Sequence, residues 1–249
     1  MQNQPEQQAP PVQRLRLRYA KRGRLRFTSH RDFSRAFERA VFRARIPMAY
    51  SSGFNPRPRI SYAGASPTGA ASESEYLEIA LAERVDPHTV QVALDESLPE
   101  GLDVIEVVES AGGSLADQLE ASRWEIELPG TTLPELADAV DRMLAMTSVE
   151  VERMTKKGMR SFDVRAAVVD ANATDCPSHQ SSCAILEVVL RHGTPAVRPD
   201  DVLAGLRNVA GLSIPGAALA RRLEQGPLRR NGTVGDPLAP DRDADGAES

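Results

Sequence analysis

The chain is short of the residues that would announce a reaction. Of its 249 residues, two are cysteine, four are histidine and eleven are aromatic. Two cysteines, Cys176 and Cys183, argue against a disulfide-built scaffold. No run approaches the roughly 18 consecutive apolar residues of a membrane helix, so no spanning segment is expected. Residues 1–11 are rich in Gln and Pro and lack the basic-then-apolar order of a secretory signal, so a cytoplasmic protein is expected. Gly53, Gly64 and Gly69 match neither a phosphate loop nor a dinucleotide fingerprint and read as turn formers.

Charge is what the chain has in unusual arrangement. The net value of −5 hides a division. Between Pro11 and Ile60 there are 14 Lys and Arg against two acids, Asp32 and Glu38, whereas Glu73 to Glu120 holds 13 acids and one base, Arg84. Segregation on this scale marks a surface for a polyanion, or two opposite surfaces that neutralise each other. Nine of the eleven aromatics fall within the first 76 residues, alongside the positive charge.

A mass of 27.0 kDa suits two units of about 100 residues. Residues 1–11 and 225–249 read as disordered tails, because their Pro, Gly, Gln and Asp cannot bury enough apolar area to offset ordering. In residues 12–110, Leu15, Leu17 and Tyr19 alternate with Arg14, Arg16 and Arg18 as in a half-buried strand. Leu25 and Phe27 against Arg24 and Arg26 resume the pattern as a hairpin or a bent strand. Ser29 and Asp32 have capping-box spacing ahead of a helix whose apolar stripe is Phe33, Ala36, Phe37, Ala40, Val41 and Ala44. Arg31, Arg35 and Arg39 lie opposite that stripe, and so does Phe42. Strands at 60–62 and 76–81, a helix from Asp86 to about Leu98, and a strand at 102–108 complete a βαββαβ order.

Residues 121–224 repeat it with strands at 124–128, 149–152 and 184–190, helices at 132–146 and 199–209, and a weak element near Leu212. The expected fold is therefore α+β, two tandem ferredoxin-like (βαββαβ) units with disordered tails. The segment 155–182 is not assigned.

In such a unit one sheet face is open, and cations with planar groups on that face suit single-stranded nucleic acid. The expected contacts are Arg14, Arg16, Arg18, Arg24, Arg26, Arg31, Arg35, Arg39, Phe42, Arg57 and Arg59. The competing possibility is that these arginines pair with the acidic stretch and that Phe42 packs on a neighbour. His30, at a helix N-terminus beside Arg31, is the one candidate base, against the plainer role of a local capping contact. Cys176, His179 and Cys183 fall short of the four ligands and regular spacings of zinc sites, so no metal is expected.

One string of motifs is distinctive. Ser29, His30 and Asp32, then Arg35, Glu38 and Arg39, then Tyr50, Ser51, Gly53, Phe54, Asn55, Pro56 and Pro58 lie in a pattern that resembles the uncharacterised radical SAM-linked conserved bacterial proteins. The likeness spans roughly residues 12–215. It departs at Arg57, where relatives often carry histidine, and at Arg31, where they often carry leucine. The resemblance implies a partner, a radical SAM protein encoded beside such chains or fused to them. Two cysteines cannot supply the three thiolates of the cluster site, so this chain is not itself the radical enzyme.

The function expected is a non-catalytic RNA-binding accessory module, without cofactor, that presents RNA to that partner. Two alternatives are a metal-independent endoribonuclease like the RAMP proteins, with His30 as base, and a protein-interaction subunit that binds no nucleic acid.

Overall fold

A computed structural model describes residues 7–155, 158–177 and 182–247. The architecture is mixed α+β. Two compact units emerge, one comprising residues up to Gln118 together with Pro237 onward, the other Leu119–Asp236. No helix among the described residues is long and apolar enough to cross a membrane.

The first unit runs β1 (Gln13–Lys21), α1 (His30–Arg43), β2 (Ile60–Ala63), β3 (Ala71–Leu81), α2 (Pro87–Ser97) and β4 (Val104–Glu109). Its strands are ordered β4-β1-β3-β2, every neighbour antiparallel. The alternation in β1 sets the register, with Leu15 opposite Ile79 and Leu17 opposite Leu77. These side chains join Phe33, Phe37 and Val41 of α1 and Val90 and Leu94 of α2 in one buried cluster. Each such burial contributes roughly 1.5–3 kcal/mol, and a slip of one residue would drive the arginines into it. Ser29 caps α1, its Oγ accepting from the Asp32 N–H at 3.2 Å, and Asp86 caps α2 by accepting from the Thr89 N–H at 2.9 Å.

Residues 23–27 differ from expectation. They form a 3-10 turn rather than a strand. At three residues per turn, alternation no longer sorts side chains onto two faces. Leu25 packs on the core, while Phe27 is 60% exposed beneath the Arg26 guanidinium, 4.8 Å from the ring centroid.

The second unit runs β5 (Ala121–Pro129), α3 (Leu133–Ala145), β6 (Glu150–Thr155), β7 (Gly158–Asp163), β8 (Val168–Asp175), β9 (Cys183–Arg191), α4 (Pro199–Ala210) and β10 (Leu219–Gly226). Its sheet order is β10-β5-β9-β8, again antiparallel. The segment expected as its second strand, 149–152, falls largely in β6, which pairs with β7 as a separate hairpin, and β8 occupies the sheet position instead. The polar run Asp170, Asn172, Thr174 and Asp175 masks β8 in the sequence. The last strand lies beyond Leu212, at 219–226, where buried Arg222 and Gln225 take places usually held by apolar residues. The two cysteines build no scaffold but do meet each other. Asp175 and Ala184 close the β8–β9 register, so Cys176 and Cys183 face one another one step further out and are bonded, with Cα atoms 5.6 Å apart.

The C-terminal region is not the predicted tail. Residues 225–226 complete β10, and α5 (Ala239–Ala247) belongs to the first unit. What draws it there is Arg16, whose side chain is 0% exposed. Its guanidinium donates to both carboxylate oxygens of Asp241, at 2.9 and 3.0 Å, to Glu78 Oε2 at 3.2 Å, and to the carbonyls of Gly112 and Gly113 at 2.7 and 2.8 Å. Asp241 also accepts from the Ala111 N–H at 2.9 Å, and Arg242 pairs with Glu106 at 2.6 Å. A buried guanidinium demands such saturation, which composition does not register. At the other end, residues 1–6 of the predicted N-terminal tail lie outside the described residues, and the Gln8 N–H donates to Ser52 Oγ at 3.0 Å.

Removing one partner of a buried ion pair costs about 3–5 kcal/mol, whereas replacing both by apolar groups is close to neutral. Asp241→Ala should therefore lower urea-unfolding stability by about that amount, and the double variant Arg16→Met, Asp241→Leu should recover most of it. A loss below about 1 kcal/mol for Asp241→Ala would mean that α5 is not part of the unit's core.

Candidate nucleic-acid interface

The arginines that share one stretch of sequence fall into two groups in space. Those at positions 14, 16, 18 and 22, on and just after β1, are held by carboxylates and main-chain carbonyls, in part from the 73–120 stretch. Arg14 pairs with Glu78 at 2.8 Å, across the sheet register that also sets Arg16 opposite Glu78. Arg18 Nε donates to the Glu73 carbonyl at 2.9 Å. Arg22 spans Glu73 and Asp103, and these hydrogen bonds raise its already high pKa. Arg84 and Gln13 hold Glu109. Arg16 is buried outright, so it offers nothing to a ligand at the surface.

The α1 group differs. Arg31, Arg35 and Arg39 are exposed, and none has a hydrogen bond or ion pair through its side chain among the described residues. They stand four residues apart, which on an α-helix means a rise of about 6 Å and a rotation of about 40° per step. Arg43 continues the series, its guanidinium tied to the Ser97 carbonyl at the end of α2. Sequence reasoning overlooked Arg43, although the four-residue spacing was there to extend. Phe42, 82% exposed, stands among them, and with Arg35, Glu38, Arg39 and Arg43 it lines a surface depression of about 620 Å³. That size lies within the ~300–1,000 Å³ usual for small-ligand sites.

The remaining predicted residues are dispersed. Arg24 is exposed, and Arg26 is drawn onto Phe27 with its Nε buried and unbonded. Tyr50, Ser51, Gly53, Phe54, Asn55, Pro56 and Pro58 belong to a loop closed by the Ser51 N–H to the Arg57 carbonyl at 2.9 Å and by the Arg57 N–H to Ser51 Oγ at 3.1 Å. Phe54 and the Arg57 side chain are exposed there, and Arg59 Nε is spent on the Tyr50 carbonyl at 3.1 Å.

His30 is the first residue of α1 and is exposed, its ring edge-on to Tyr62 with centroids 5.0 Å apart. Burial pushes the Tyr62 phenol up to about 12, so it stays neutral at ordinary pH. Neither ring nitrogen of His30 has a partner among the described residues.

Two other clusters carry reactive groups. In the second unit Ser122 Oγ lies 2.7 Å from His192 Nε2, and His192 Nδ1 lies 2.6 Å from the Leu119 carbonyl. Burial lowers the His192 pKa and keeps the imidazole neutral, but Ser122 is itself buried, so the pair seals the end of β5 rather than presenting a nucleophile. Glu127 Oε1 sits 3.8 Å from Cys183 Sγ, whose bond to Cys176 removes both sulfurs as thiolate ligands. His179 lies outside the described residues.

Residues 14–199 match the model of a family described as an uncharacterised protein conserved in bacteria, DUF2344. The chain belongs to this family. The matched DUF2344 span contains all of α1 and the 50–58 loop, while Asp241, which completes the Arg16 site, lies beyond it. No protein of curated function matches the chain. Among solved structures, an unknown protein from Galdieria sulphuraria is 13% identical, with 85% of this chain and 99% of that one covered and a TM-score of 0.24. The encapsulated DyP-type peroxidase from Mycobacterium smegmatis is 11% identical, with 89% and 94% covered and a TM-score of 0.21. Neither likeness bears on the fold or function of the DUF2344 chain.

Because they hold no partner, Arg31, Arg35 and Arg39 should be dispensable for folding. Each single change to Ala should move urea-unfolding stability by less than about 0.5 kcal/mol. A loss above about 1 kcal/mol at any of them would place that arginine with the structural group.

Proposed function

We propose that this DUF2344 protein is a non-catalytic RNA-binding accessory module whose contact surface is the outer face of α1, and that it presents RNA to a radical SAM partner. The observation that supports it is the sorting of the arginines. Where a cation is structural, this chain supplies it with a carboxylate or carbonyl, as at Arg14, Arg16, Arg18 and Arg22. On α1 three consecutive rungs of arginine are left without one, beside an exposed aromatic ring. A step of about 6 Å between rungs is of the order of the spacing of phosphates along a single strand. Guanidinium groups bind phosphate bidentately, and an exposed ring gives a base something to stack on.

The radical SAM partner enters through the motif resemblance at residues 29–58 alone. We also read both units as ferredoxin-like. In each, the element order reduces to βαββαβ with the strand order 4-1-3-2, once the β6–β7 hairpin is treated as an insertion. RNA-recognition modules of that topology use the open sheet face. Here the middle of that face in the first unit is taken by Arg16 and α5, which favours α1 as the contact surface.

The test is a fluorescence-anisotropy titration of a labelled single-stranded RNA across a salt series. Affinity should fall as salt rises, with counterion release contributing about 0.7 to the log–log slope per phosphate contact. Replacing Arg31, Arg35 and Arg39 together by Ala should weaken binding and flatten the slope by about 2, if each arginine neutralises one phosphate, whereas Arg14→Ala should change neither. Equal slopes for the wild type and the triple variant would remove α1 as the interface.

A further inference from the structure

Glu38 is out of place in a purely phosphate-binding surface. It is the one acid in the α1 depression, set among Arg35, Arg39 and Arg43, and phosphates would be repelled by it. It is not there to balance charge, because it forms no ion pair among the described residues. The chain does form such pairs where the spacing favours them, since Asp138 and Arg142 of α3, at i and i+4, meet at 2.9 Å. Glu38 has the opposite polarity: its nearest arginine on the same face, Arg35, precedes it by three residues, the less favourable orientation, and four residues on stands Phe42. A free carboxylate is thus held one helical turn from an exposed aromatic ring, between cations.

A base stacked on Phe42 would turn an edge toward Glu38. An ionised carboxylate offers two acceptors and no donor, so it selects an edge with two adjacent donors. Adenine and cytosine each present one amino donor beside a ring acceptor, and uracil presents a single N–H between two carbonyls. Guanine alone presents N1–H next to the 2-amino group.

We propose that the α1 depression is a guanine subsite, with the base stacked on Phe42, its N1–H and N2–H donated to the two oxygens of Glu38, and the flanking phosphates taken by Arg35 and Arg39. The subsite rests on the RNA-binding role proposed above and adds the identity of the base.

The experiment compares four single-stranded oligouridines that differ only at one central position, carrying guanosine, inosine, adenosine or uridine. Inosine keeps N1–H and lacks the 2-amino group. The wild-type protein should bind the guanosine strand about tenfold or more tighter than the adenosine strand, with inosine between them. Glu38→Gln should bring the four affinities together without weakening the adenosine strand. Phe42→Ala should weaken all four, by about tenfold, because stacking is indifferent to the base. Unchanged melting curves for both variants confirm that folding is intact. Equal wild-type affinities for the four strands would overturn the subsite and leave the RNA-binding role standing. No binding of any strand at low salt would overturn both.

Discussion

The guanidinium of Arg16 is the constraint on which the first unit is built. A charge buried to that degree is tolerated only when every donor is matched, and the chain matches it from four places: Asp241 near the C-terminus, Glu78 on the adjacent strand, and the carbonyls of Gly112 and Gly113. The demand reaches across 225 positions of sequence to bring α5 into the unit. It also settles what the sheet face can do. A face whose centre is a neutralised, enclosed arginine no longer presents a row of cations. Acids of the 73–120 stretch complete the effect at Arg14 and Arg22, so the opposed charge blocks of the sequence neutralise each other at the sheet, through Arg14, Arg16 and Arg22.

Positive charge survives where no strand partner exists. On α1 the arginines project from the side opposite Phe33 and Phe37, and nothing among the described residues meets those at positions 31, 35 and 39. Helical spacing turns them into rungs at regular intervals, and Phe42 and Glu38 fall between the rungs. Cations, a ring and one carboxylate without an ion pair thus share a single helix face, and on this arrangement the proposals of phosphate binding and base choice rest.

Much of this was legible before any coordinates. Strict alternation at 14–19, the cap at Ser29 and the apolar stripe from Phe33 set β1 and α1 with the correct faces, because local periodicity and core burial agree there. The exposure of Phe42 followed from the same geometry. What escaped was decided by distant partners or by polar strands. No local pattern distinguishes Arg16, which is sealed, from Arg14, which is not, since the difference is made by Asp241. β8 and β10 hide because their residues are largely polar, and the fate of Leu25 and Phe27 turned on a 3-10 turn that breaks two-residue alternation.

The central claim is that two sets of arginines, close in sequence, have separate duties: β1 holds the fold and α1 meets the ligand. Ultraviolet cross-linking of the full chain to single-stranded RNA, followed by mass spectrometry of the RNA-bearing peptides, tests it directly. The account predicts adducts on peptides from residues 30–43, centred on Phe42, and none on residues 13–21. Adducts on the β1 peptides with α1 unmodified would contradict it.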